Sequence, residues 1–105
     1  MNGREVAGMR LVIRAPKKHE KVQEHTARRV GFVLSRFAPR VASVTVVVAE
    51  HGSEVVSCSV RIRCSPSWEV LEEVADEDAY AAVERAVERA ARSMARALQH
   101  GGGAR

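Results

Sequence analysis

Val56-Ser-Cys-Ser-Val-Arg-Ile-Arg-Cys64 alternates apolar and polar residues without a break. Successive side chains on a strand point to opposite faces. Val56, Cys58, Val60, Ile62 and Cys64 therefore share one face, and Ser57, Ser59, Arg61 and Arg63 the other. A strand with one apolar and one wet face belongs to an antiparallel sheet covered on a single side. The flanking segments fit such a sheet. Val41 to Ala49 carries five valines and a threonine, residues that favour a pleated, half-buried surface. His51-Gly52-Ser53 forms a turn between the two runs. Ser65-Pro66-Ser67 forms the next turn, and Trp68 to Val74 reads as a third strand. Short turns make the three an antiparallel meander. Glu72 and Glu73 are adjacent, so at least one carboxylate faces inward or lies at a sheet edge.

Working outward, Arg10-Leu-Val-Ile-Arg14 is a short β-rich run ended by Pro16. From Lys17 to Phe37 the apolar period becomes helical, with Val22, Thr26, Val30, Val33, Leu34 and Phe37 on one face and Pro39 as the stop. After the meander, Asp76 or Asp78 caps a final helix, and Gly101-Gly-Gly103 ends it. Tyr80, Val83, Val87, Ala90, Ala91, Met94 and Leu98 form its apolar side. The expected fold class is α+β: a β-α-β-β-β-α two-layer sandwich with a four-stranded sheet and both helices on one face, as in double-stranded-RNA-binding domains. A single domain is expected over residues 9–100, with residues 1–8 and 101–105 as flexible termini.

Composition narrows the function classes. At 105 residues the chain has room for one modest core, and 46% apolar content argues against wholesale disorder. The net charge of +4 and a pI near 9.7 favour polyanionic partners. Met1 to Gly8 lacks the apolar stretch of a secretion signal and no run is long enough to span a bilayer, so cytoplasmic location without membrane contact is the expectation. Cys58 and Cys64 on one straight strand lie about 20 Å apart. A disulfide needs Cα atoms within about 7 Å, so two reduced core thiols are expected. His19, His25, His51 and His100 fall in no metal-ligand spacing, and neither a G-x-S-x-G nucleophile motif nor a glycine-rich phosphate loop precedes a helix. The residues therefore point to no catalytic or metal site, no cofactor and no small-molecule substrate.

The chemistry lies in the cations. Arg85, Arg89, Arg92 and Arg96 recur at offsets of four, seven and eleven, which return to nearly one helical face. Guanidinium forks match phosphate geometry and stay charged. Glu84 and Glu88 stand beside them, and Glu88 to Arg92 makes an i,i+4 pair, so a salt-bridged solvated face is the plain alternative. On the first helix Lys18, Lys21, His25 and Arg28 follow at helical spacing, with Arg29 alongside. If both helices cover one side of the sheet, the two sets are expected to combine into a basic ridge or groove.

Asp78-Ala-Tyr80-Ala-Ala82-Val83 opens the last helix. With Val87, the basic positions Arg89, Arg92 and Arg96, Arg29 and Phe37 on the first helix, the valine-rich strand after Pro39 and the Gln99-His100 ending, it resembles the ribosome hibernation-promoting factors, also called ribosome-associated inhibitors or ribosomal subunit interface proteins. The resemblance covers about Arg10 to His100. Phe32 departs from it, standing where many members have Lys, as does the start of the first helix, Lys17 to Glu20, which lacks the usual Thr/Ser cap.

The resemblance implies a non-enzymatic ligand of the small ribosomal subunit. Such a protein lies in the mRNA/tRNA channel and silences idle ribosomes in stress or stationary phase. On the positions that match, Arg89, Arg92, Arg96 and Arg29 would meet rRNA phosphates; Arg85, Arg28 and Lys21 are expected to join them from the basic helix faces, and the protein is expected to be monomeric off the ribosome. Long members carry an extra C-terminal domain; a chain ending at Arg105 resembles the short form. Two other readings stay open: a general double-stranded RNA-binding module, and a protein–protein adaptor working through the exposed sheet face with Arg61 and Arg63.

Overall fold

A computed structural model describes residues 3–52 and 54–99. The meander forms as its alternation requires. β3 (Val41–His51), β4 (Val55–Cys64) and β5 (Trp68–Asp76) pair antiparallel in sequence order, with Val46 opposite Val60 and Val60 opposite Glu72. Val56, Cys58, Val60, Ile62 and Cys64 are all buried, and Arg61 and Arg63 are exposed. Gly52, at φ +76°, supplies the left-handed residue of the β3–β4 turn. Ser53, Gly101 to Gly103 and His100 lie outside the described residues, and with them part of that turn and the expected helix stop.

The sheet has five strands rather than four. β1 (Gly3–Val6) pairs antiparallel with β2 (Met9–Arg14), where a loose lead-in was expected over the first eight residues. The hairpin turns on Ala7 and Gly8, at φ 52° and 83°. Two consecutive positive φ values are the type I′ geometry that matches strand twist. Alanine is seldom found there, and four mostly exposed residues give no alternation to read, so the sequence pattern does not mark this strand. β2 pairs parallel with β3, Leu11 opposite Val44 and Ile13 opposite Val46, so the sheet order is β1-β2-β3-β4-β5. A parallel pair needs a crossover, and the first helix supplies it.

That helix is shorter than its apolar period. A 3-10 turn at Lys17–His19 precedes α1 (Val22–Leu34), and a 3-10 segment, Ser35–Arg40, follows it. Pro39 sits inside this segment instead of stopping a continuous α-helix. In 3-10 geometry residues three apart eclipse, so Leu34 and Phe37 both reach the core. α2 runs over Ala79–Gln99. Both helices cover the face formed by Met9, Leu11, Ile13, Val44, Val46 and Val48 together with the inward residues of β4 and β5. α2 lies on β4 and β5, α1 beside β1 and β2, and the helices touch each other. At Gly31 α1 passes close to β1: a Cβ there would stand 2.7 Å from Val6 Cγ1.

Cys58 and Cys64 are free and buried on the same strand. Burial, with the Glu73 carboxylate adding to it, pushes the Cys58 thiol up to about 12. The Cys64 thiol instead packs 3.5 Å from Met94 Sδ of α2. Trp68 packs half-buried against the core, its indole N–H donating to Ser65 O at 3.2 Å.

Candidate nucleic-acid interface

α2 is positioned by both acids before it. Asp78 is the cap: its Oδ1 accepts from Tyr80 N at 3.2 Å, and its carbonyl accepts from Ala82 N at 2.9 Å. Asp76 Oδ1 accepts from Asp78 N at 3.0 Å and its Oδ2 from Arg85 at 2.9 Å. The Asp78 N–H foremost, with Arg85 assisting, holds the Asp76 carboxyl below its ordinary range. Ala79, Ala82, Val83, Ala86, Val87, Ala90, Ala91 and Met94 are buried. The small residues in that set let the helix sit close on the sheet. Tyr80, expected on the core side, is 42% exposed and meets His25 edge-on, ring centroids 5.0 Å apart.

The two helices run side by side in the same direction. His25 Nε2 lies 3.1 Å from Glu84 Oε2, and Arg29 donates to Glu88 Oε2 at 2.6 Å, so the contacts advance by four residues on both helices together. These pairs occupy the furrow between the helices. The expected single basic groove is therefore divided: two carboxylates of α2 stand between the cations of α1 and the arginine stripe. Arg29, only 27% exposed, is committed to that furrow.

The stripe itself leans toward the free edge of the sheet. Arg85 pairs with Asp76, and Arg89 Nε lies 3.7 Å from Glu72 Oε1. Glu72 is the inward carboxylate of the Glu72–Glu73 pair; its other oxygen accepts from Ser93 Oγ at 2.6 Å. Arg96 donates to Ser93 Oγ at 3.4 Å. Arg92 is exposed and, among the described residues, has no carboxylate partner. The same holds for Lys21 and Arg28, which face outward from α1. Of the seven expected RNA-binding residues, the fold thus leaves Lys21, Arg28 and Arg92 uncompensated and gives Arg29, Arg85 and Arg89 acidic partners.

Those partners do not remove Arg85 and Arg89 from use. Their side chains are 56% and 49% exposed, and exposed ion pairs contribute only about 0–1 kcal/mol. A phosphate can replace such a carboxylate at little cost. Arg89, Arg92 and Arg96 line one shallow surface with Glu72 and Ser93; Arg85, Glu88, Arg89 and Arg92 line the next. What sequence reasoning missed is the carboxylate set: Asp76 and Glu72 come from β5, and their pairing with α2 depends on packing rather than on helix spacing.

The family profile for "sigma 54 modulation protein / S30EA ribosomal protein" matches residues 13–99. The chain belongs to this family. Membership ties it to ribosome-associated modulation, the hibernation class, and agrees with the resemblance carried by Tyr80, Ala82, Val83 and the following arginines. No curated protein matches the chain significantly. Among the described residues no helix is long and apolar enough to cross a membrane.

Proposed function

We propose that the protein is a non-enzymatic cytoplasmic translational inactivator that lies in the mRNA/tRNA channel of the small ribosomal subunit. It acts as a monomer and silences ribosomes idled by stress or stationary phase. The observation that carries this reading, beyond family membership, is the set of outward cations Lys21, Arg28 and Arg92 on two parallel helices, flanked by the exchangeable Arg85 and Arg89. Occupying the channel needs no catalytic group. It needs a body that fits and a surface that neutralises phosphates, with affinity from counterion release rather than base reading. The excess charge of +4 adds attraction at long range.

Sedimentation with purified ribosomes at rising salt tests this. The wild-type protein is expected to pellet with small subunits at low salt and to be released progressively. The Lys21→Ala, Arg28→Ala, Arg92→Ala triple variant is expected to flatten the log–log salt slope by up to about 0.7–0.9 per lost phosphate contact. Failure to pellet even at low salt contradicts the proposal. Equal binding to naked duplex RNA favours a general RNA-binding module instead.

A further inference from the structure

Phe32 is a large apolar ring held in solvent, 80% exposed. It is the fourth member of a row on α1: Lys21, His25, Arg28 and Phe32 stand at offsets of four, seven and eleven, the spacing of the α2 arginine stripe. The row faces away from Val22, Thr26, Ala27, Val30 and Leu34, which bury the other side of the helix, so no small rotation brings the ring inside. His25, Arg28, Arg29 and Glu84 line a shallow hollow beside it. Arg36, four residues on, holds its guanidinium 4.6 Å from the Phe37 ring centroid. Among the described residues neither Arg28 nor Arg36 has a carboxylate partner. Arg36 lies beyond the end of α1, in the 3-10 segment, and is turned onto Phe37, so the cation beside the exposed ring is Arg28, one α-helical turn before it and lining the same hollow.

We propose that Phe32 is a stacking platform for an unpaired RNA base, with Arg28 holding a phosphate beside that nucleotide. The inference rests on the ribosome-ligand reading and deepens it by naming the RNA element: a single-stranded or flipped-out nucleotide, not a duplex. Charge complementarity selects this occupant. A polyanion with exposed π faces satisfies the ring and the Arg28 guanidinium at once, whereas an apolar protein groove would strip water from that guanidinium and leave it unpaired. Stacking is indifferent to base identity, so the platform adds affinity for exposed bases without a sequence code.

The test uses the full chain and purified ribosomes. Phe32→Ala is expected to weaken binding roughly 5- to 150-fold, the range for loss of one base–aromatic stack, with the salt slope unchanged because no phosphate contact is lost. Phe32→Leu keeps an apolar side chain but no π face and is expected to bind as weakly as Phe32→Ala. In a Trp68→Phe background, Phe32→Trp places the only indole at the platform, and its fluorescence is expected to be quenched by ribosomes and by unstructured RNA more than by duplex RNA. If the wild type binds and Phe32→Ala binds equally well, or the indole is not quenched, stacking is overturned while the ribosome-ligand reading survives. Wild-type affinity in Phe32→Leu assigns the ring to an apolar protein pocket and also overturns it. Binding of the wild type to neither ribosomes nor RNA overturns both.

Discussion

Replacing Glu72 with Gln removes the carboxylate that faces Arg89 while leaving an amide oxygen to accept from Ser93 Oγ. The Glu72–Arg89 separation is 3.7 Å, with Arg89 about half exposed and Glu72 22% exposed, so folding stability is expected to fall by no more than about 1 kcal/mol. That corresponds to a melting shift of less than about 8 °C for a domain near this size. Binding should move the other way. A phosphate held by Arg89 at a charge-assisted distance of about 2.8 Å stands about 6.5 Å from the Glu72 oxygen. Unit charges at that distance in water repel by about 0.6 kcal/mol, close to a threefold change in affinity. The control is Glu69→Gln. It makes the same change in net charge and breaks a similar exposed pair, Arg61–Glu69 at 3.8 Å, on the opposite face of the sheet. Ribosome titration by fluorescence anisotropy at low salt reads both. Glu72→Gln is expected to bind about threefold tighter, and Glu69→Gln close to wild type. A larger gain from Glu69→Gln would show that the sheet face meets the ribosome, and would refute the assignment of RNA contact to the helices.

Three further outcomes follow from the packing and the pKa shifts. Asp78→Ala removes the side-chain cap on Tyr80 N and is expected to cost about 0.5–2 kcal/mol in urea unfolding; no loss would show that Asp76 alone starts α2. The Asp76 carboxyl is depressed in the fold, so its stabilisation is present above its unfolded value near 3.8 and is lost as pH falls through the lower folded value. Asp76→Asn should therefore reduce stability at neutral pH and flatten the acid limb below about pH 4, and an unchanged acid limb would contradict the Asp78 N–H and Arg85 contacts. With its thiol pushed up to about 12, native Cys58 should resist a thiol reagent at pH 8 and react on unfolding in urea; rapid native labelling would contradict its burial.

Legibility in the sequence tracked how local the physics was. The β4 alternation and the valines of β3 specify their own inward faces, and the meander followed from turn length alone. The β1 hairpin was hidden because Ala7 adopts a backbone conformation alanine rarely takes. The end of α1 is not legible because the apolar period runs on through Ser35–Arg40 even though the backbone tightens to 3-10 there. On α2 the arginine spacing placed the stripe on the surface, but spacing along one helix says nothing about acids brought by another element. Glu72 and Asp76 of β5 reach Arg89 and Arg85 only because α2 lies over that strand, and Glu84 and Glu88 divide the expected groove only because the helices run parallel. The exposure of Phe32 was within reach, since its offset of eleven from Lys21 puts it on the outward row.

The contact face itself is most directly read by site-specific photo-cross-linking on the ribosome. A photoreactive side chain at position 28 or 92 is expected to form adducts with small-subunit rRNA, and one at position 61 on the outer sheet face to form few or none. Strong rRNA adducts from position 61 with none from 28 and 92 would contradict the helix-face interface outright.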